Sequence, residues 1–119
     1  NGHTEIVKLL LQDKRVDPIS DDNYMIRLAS ENGHTEIVKL LLADPRVNLS
    51  TDDNYAIQWA SRYGHTEIVK MLVDWYIEKK KLFKLVNDLK KHKEIGDRLS
   101  YHDVRFAKYW NLQKSTLLI

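Results

Sequence analysis

The sequence contains no cysteine, only two prolines and only four glycines in 119 residues. Without cysteine there are no disulfides and no thiolate metal sites. That composition suits a reducing compartment and predicts an intracellular, cytoplasmic location. Uninterrupted apolar runs stop at four residues, as in Leu40–Ala43, so no segment is long enough to span a bilayer and no membrane partner is expected. The opening Asn1-Gly2-His3-Thr4-Glu5 is polar and carries none of the apolar stretch of a secretory leader. No methionine opens the chain either, which points to a piece of a longer product. The few glycines are never clustered, and this excludes a phosphate-cradling loop. Charge of one sign is also missing. The 19 Lys+Arg and 17 Asp+Glu leave a net charge of +2, too mild to argue for nucleic acid. What remains is 43% hydrophobic and 30% charged, the composition of a folded soluble chain with room for one domain.

What is present is a repeat. The run Asn1-Gly-His-Thr-Glu-Ile-Val-Lys-Leu-Leu-Leu11 returns unchanged at Asn32–Leu42, and Gly64-His-Thr-Glu-Ile-Val-Lys70 returns it a third time. Gly2, Gly33 and Gly64 stand 31 residues apart. A second block recurs at the same period, Asp21-Asp-Asn-Tyr24 and Asp52-Asp-Asn-Tyr55, each followed by Ile and then Ala-Ser. Each period reads as two helices and a loop. The first helix is predicted over residues 24–31 and 55–62, with small residues (Ala29, Ser30; Ala60, Ser61) where helices approach closely. Gly33 and Gly64 stop it by taking positive φ. Thr35 and Thr66 are expected to cap the second helix, with Glu36 and Glu67 in its first turn. Asp44-Pro45 ends that helix, because the residue before proline avoids the helical region. Neither helix is long enough to be stable alone, so each layer must bury its apolar face on the next. The expected architecture is a solenoid.

The run Gly33-His34-Thr35-Glu36-Ile37-Val38-Lys39-Leu40-Leu41-Leu42 resembles the second-helix signature of the ankyrin repeat family, and Arg46-Val47-Asn48 resembles its D-V-N. The fold class predicted on this resemblance is all-α, an ankyrin-like helix-turn-helix solenoid with a divergent helical C-terminal cap. Residues 1–75 would hold the repeats, as a half repeat (1–22) and two further repeats (23–53 and 54–75), and residues 76–119 the cap or extension. Two departures stand out. The period is 31 rather than the family's usual 33. The family's T-P-L-H is replaced by Tyr24-Met25-Ile26-Arg27 and Tyr55-Ala56-Ile57-Gln58. Near-identical tandem copies are also similar in style to the expanded ankyrin arrays of large-genome viruses of protists. The chain opens on a second helix, so missing upstream sequence is the expected cover for Ile6, Val7 and Leu10.

After Val73 the repeat dissolves. Leu82, Leu85, Val86 and Leu89 fall on one helical face within 74–92. Gly96 is expected to break the pattern, and Ser100 to cap a last helix over 101–113 carrying Val104, Phe106, Ala107, Tyr109 and Trp110. Residues 74–98 hold eight Lys/Arg against five Asp/Glu, read as a solvated basic helix face. Trp59, Trp75 and Trp110 are read as packing residues.

No group of residues points to catalysis. His3, His34 and His65 recur, but stacked helices lie about 8–10 Å apart and a zinc–nitrogen bond is about 2 Å, so successive layers cannot share one ion. The expected role of Gly33, His34, Gly64 and His65 is structural, at the turn between helices. The pairs Asp21-Asp22 and Asp52-Asp53 have no recurring histidine or serine companion and no calcium-loop spacing, which leaves loop solvation and turn formation. No cofactor, metal or small-molecule substrate is expected, and the partner is another protein. The resemblance implies a concave surface of loop tips and first-helix faces. By position this surface comprises Ser20, Asp21, Asn23, Glu31 and Asn32, then Thr51, Asp52, Asn54, Arg62 and Tyr63. Tyr63 and Arg62 are the expected hot spots, and the aspartates predict a partner with a basic or amide-rich patch. A structural subunit that assembles through its open stack ends is the alternative.

Overall fold

A computed structural model describes residues 3–13, 20–49 and 54–117, and the side chains of residues 4–13, 23–49 and 54–113. The described residues hold helices and no strand. In order these are α1 (His3–Gln12), α2 (Ser20–Glu31), α3 (Thr35–Ala43), α4 (Tyr55–Arg62), α5 (Thr66–Glu78), α6 (Leu82–Asp88), a 3₁₀ turn (Leu89–Lys91), α7 (Lys93–His102) and α8 (Val104–Leu117). The body is elongated, 51 × 23 × 21 Å. First helices α2, α4 and α7 lie side by side in one row, and second helices α1, α3 and α5 form a row behind them.

Tight turns create each pair. Gly33 and Gly64 both take φ +75°, which lets His34 N–H reach Ala29 O and His65 N–H reach Ala60 O at 2.9 Å. Ala29, Ser30, Ala60 and Ser61 are buried, so α2 and α4 approach across small side chains. Ile26, Val38, Leu41, Ile57, Val69 and Leu72 fill the space between the rows at 1% exposure or less. Each such side chain contributes about 1.5–3 kcal/mol relative to exposure. Gly33 serves a second purpose. A Cβ there would lie 2.7 Å from the His65 ring, whose Nε2 stands 3.0 Å from Glu31 O. The α4–α5 pair is thereby tied to the turn of the α2–α3 pair before it.

Four expectations are corrected. Thr35 and Thr66 are the first helical residues rather than the caps. His34 and His65 occupy the cap positions with φ/ψ of −83°/78° and −84°/72°, the geometry of an inverse γ-turn, and no side chain caps either helix. The helix expected over 74–92 is two helices. α5 continues across residue 75 to Glu78, and the chain then turns at Lys80 with φ +59° before α6 begins. Gly96 lies inside α7 and does not end it. Ser100 does not cap a helix, since its hydroxyl donates back to Gly96 O at 2.9 Å within α7.

The cap of α8 is Asp103, buried to 3% exposure. Its carboxylate accepts from the N–H groups of Arg105 and Phe106 at 2.8 and 3.2 Å, and from the Arg105 guanidinium at 2.7 Å. Burial by itself raises the Asp103 pKa. The Arg105 side chain and these backbone N–H groups outweigh it and hold the carboxyl below the usual range. Arg105 also pairs with Asp74 and donates to Lys70 O at 3.3 Å, which fastens α8 to α5. Asp44 makes the same kind of clasp with Arg46, 2.6 Å across, and that hydrogen bond is the main reason its pKa is lowered. Arg46 in turn donates to Leu11 O at 3.0 Å, joining the loop to α1.

The last helices repeat the geometry of the earlier pairs without their sequence. From the α4 cap Asn54 to the α5 cap His65 is 11 residues, and from the α7 cap His92 to Asp103 is 11 again. From Tyr55 to Lys93 is 38 residues, where Tyr24 to Tyr55 is 31. The difference equals the seven residues of α6. α7 packs beside α4 as α4 packs beside α2. Phe106 and Trp110, 38 positions after Ile68 and Leu72, are likewise buried.

Candidate partner-binding face

The exposed side of the first-helix row is aromatic and cationic. Arg27 lies between Tyr24 and Tyr55, its guanidinium 5.8 and 5.6 Å from the two ring centroids. One helical layer on, Trp59 and Tyr63 stack at 5.8 Å with planes 13° apart, and Arg62 sits 5.2 Å from the Trp59 ring. These spacings follow from the helix. Residues three and four apart share a face, so Tyr55, Trp59, Arg62 and Tyr63 rise along one side of α4.

Two clefts open on this side. The smaller, about 220 Å³, runs between α4 and α7 and is lined by Tyr55, Gln58, Trp59, Arg62, His92, Glu94, Ile95 and Arg98. The larger, about 840 Å³, lies where the start of α4 meets α6 and the 3₁₀ turn, with Lys84, Asn87, Asp88, Lys90 and Lys91 on its walls. Tyr55, Gln58 and His92 belong to both, so the two form one trough. A third cleft of about 420 Å³ lies away from this row, among Ile77, Leu82, Phe83, Arg105, Lys108 and Tyr109.

Of the residues expected at the binding surface, Arg62 and Tyr63 are exposed and stand together with Trp59. Glu31 is half-buried. Asn32 is exposed, with its amide donating to Leu28 O at 2.9 Å. The side chains of Ser20 and Asp21, and residues Thr51 and Asp52, lie outside what is described, as do the side chain of Asp22 and residue Asp53 in the two aspartate pairs. Asn23 and Asn54 are not surface residues. They are exposed by only 1% and 5% and take φ +64° and +59°, a conformation asparagine tolerates better than most residues. The Asn23 amide donates to Asn48 O at 3.0 Å, and Asn54 Oδ1 accepts from the buried Tyr76 hydroxyl at 2.6 Å. Asn23 thus ties the start of α2 to the loop after α3, and Asn54 ties the start of α4 to α5, so the repeated Asp-Asp-Asn-Tyr block owes its asparagine to packing.

The expected face omitted Tyr24, Arg27, Tyr55, Trp59 and Arg98, and also omitted the wall made by α6 and the 3₁₀ turn. Trp59 is half-buried on this face, in place of the interhelical packing expected for it, while Trp75 and Trp110 are buried. Tyr24 and Tyr55 recur 31 residues apart and Arg27 stands three residues after Tyr24. Those positions carried a readable signal. Among the described residues no three His, Asp or Glu side chains gather where a metal ion would sit. No described helix is long and apolar enough to cross a membrane.

Paired antiparallel helices joined by left-handed turns and stacked in two rows define a helical-repeat solenoid. Residues 1–82 match the family model for ankyrin repeats, in three copies, and the chain belongs to the ankyrin repeat family. No curated protein and no solved structure matches the chain, so the likeness to viral arrays rests on repeat style alone. Ankyrin repeats are generally protein–protein interaction modules and are typically non-catalytic. The helix pair α7–α8 lies beyond the matched residues.

Proposed function

We propose that this chain is a non-catalytic intracellular scaffold that holds another protein on the outer face of α2, α4 and α7, without a cofactor or small-molecule substrate. The observation that carries this reading is the cluster of exposed Arg62 and Tyr63 on the half-buried Trp59, beside a trough. Tryptophan, tyrosine and arginine are enriched among the residues that dominate binding energy at protein interfaces, the two aromatics because they present large area at small entropic cost. Arg62→Ala and Tyr63→Ala are each expected to cost about 2 kcal/mol of partner affinity, the scale of an interface hot spot. Neither should move the melting temperature, because both side chains are exposed. The test is affinity capture from the native cell with wild-type and variant chains. Equal recovery of the same partner by all three would refute the assignment.

A second reading, a structural subunit that assembles end to end, draws on α1. There Ile6, Leu9 and Leu10 are 55%, 65% and 44% exposed on the terminal helix of the second row. Sedimentation that shows a monomer at high concentration would remove it.

A further inference from the structure

We propose that the trough between α4, α6 and α7 receives an acidic segment of the partner protein, one carrying an apolar or aromatic side chain among its carboxylates. The inference rests on the scaffold reading above and specifies its partner's chemistry. It reverses the basic partner that the loop-tip aspartates suggest.

The charge on the walls carries the argument. Lys84 is neutralised by Asp88 at 2.9 Å. That leaves Arg62, Lys90, Lys91 and Arg98 lining the trough against one carboxylate, Glu94. None of these four cations makes an ion pair among the described residues. They come from three separate elements, α4, the 3₁₀ turn and α7. The seven-residue insertion that forms α6 is what brings the lysines of the turn to the mouth. Walls that hold several like charges within a narrow cleft focus the field and favour a ligand of the opposite sign. Between the cations the lining is apolar, with Tyr55, Trp59 and Ile95, and this fits one hydrophobic anchor flanked by carboxylates.

Protein is favoured over nucleic acid on two grounds. The whole chain carries only +2, which gives little of the backbone attraction that nucleic-acid binding needs. The aromatic rings are also already occupied. Trp59 meets Tyr63 and Arg62, and Tyr55 meets Arg27, so they are not the free platforms on which unpaired bases stack.

The test is selection of a phage-displayed random-peptide library on the full chain, followed by fluorescence anisotropy with a synthetic peptide of the most enriched sequence. Enrichment of Asp and Glu around a Leu, Phe or Trp is expected. Lys91→Glu/Arg98→Glu should weaken that peptide about tenfold or more, equivalent to ~1.4 kcal/mol. Lys90→Glu/Lys91→Glu, confined to the exposed 3₁₀ turn, gives the same readout should the Arg98 change disturb the fold. Enrichment of Lys- and Arg-rich peptides whose binding Arg62→Ala abolishes would overturn the acidic partner and leave the scaffold reading standing. Acidic peptides that bind both charge-reversed variants undiminished would overturn the location. Absence of any enriched sequence overturns the inference. A single-stranded oligonucleotide that binds more tightly than the best peptide, and is weakened by the same variants, would assign the trough to nucleic acid and also overturn it.

Discussion

Replacing Gly96 with alanine sets two forces on one residue against each other. In an exposed helix interior the change is favourable by about 1 kcal/mol, because alanine loses less backbone entropy. Here the new Cβ would stand 2.1 Å from Trp110 Cζ2 and 2.3 Å from Cε2 and Cη2. No real Cβ contact is that short, so α7 and α8 must separate or the indole must turn. The indole is poorly placed to turn. It is 4% exposed, stacks on Phe106 at 6.0 Å, and donates from Nε1 to Asp97 Oδ1 at 2.9 Å. Overpacking a core of this kind costs about 1–3 kcal/mol, and a ring with two fixed contacts places this site at the upper end. Set against the propensity gain, the net destabilisation is about 1–2 kcal/mol. For a chain of this size that lowers the melting temperature by roughly 3–8 °C. Thermal unfolding followed by circular dichroism and tryptophan fluorescence reads it directly. Trp110→Leu supplies the second arm of a double-mutant cycle, since Gly96→Ala should cost less once the indole is gone. A rise in melting temperature for Gly96→Ala alone would refute the packing of α8 on α7.

Other perturbations address the remaining ties. Asp103→Ala removes the cap of α8 and the clasp to Arg105, and should cost about 1–2 kcal/mol in urea unfolding. Because the Asp103 pKa is lowered in the folded state, its contribution is full above the unfolded value near 3.9 and is lost as pH falls through the folded value. The stability gap between wild type and Asp103→Ala should therefore hold from neutral pH down to about 4 and close below it. Asn54→Ala leaves the Tyr76 hydroxyl without its 2.6 Å acceptor and forces alanine to φ near +59°, so a loss of about 2–3 kcal/mol is expected in the same assay. Gly64→Ala meets open space and bears only the cost of positive φ, about 1–2 kcal/mol. Gly33→Ala should cost more, since it also displaces the His65 ring.

How far the sequence reveals the fold can be seen residue by residue. Gly33 and Gly64 announced their turns because positive φ is a local demand that few residues meet. Asp44-Pro45 ended α3 where expected, and Leu82, Leu85, Val86 and Leu89 marked one buried face. Where a residue's role depends on a distant partner, its identity misleads. Gly96 reads as a helix breaker, but it is there because an indole from α8 needs the space. Asn23 and Asn54 read as solvated loop tips, yet both are buried amides, held by Asn48 O and by the Tyr76 hydroxyl. Asp103 carries no hallmark of a cap until Arg105 and Phe106 are seen to converge on it. Of the proposed binding face, Arg62 and Tyr63 were read from the sequence, and the recurrence of Tyr24 and Tyr55 was a further signal there. The wall across the trough comes from α6 and the 3₁₀ turn, a stretch that has no counterpart in the earlier repeats and so cannot be placed by comparison within the chain.

Hydrogen–deuterium exchange of the captured complex shows most directly whether a partner protein lies on the first-helix row. Slowed exchange is expected over residues 55–63 and 90–98, with α3 and α8 unchanged from the free chain. Protection confined to the second helices and the Phe83–Tyr109 side, with residues 55–63 and 90–98 exchanging as before, would contradict it.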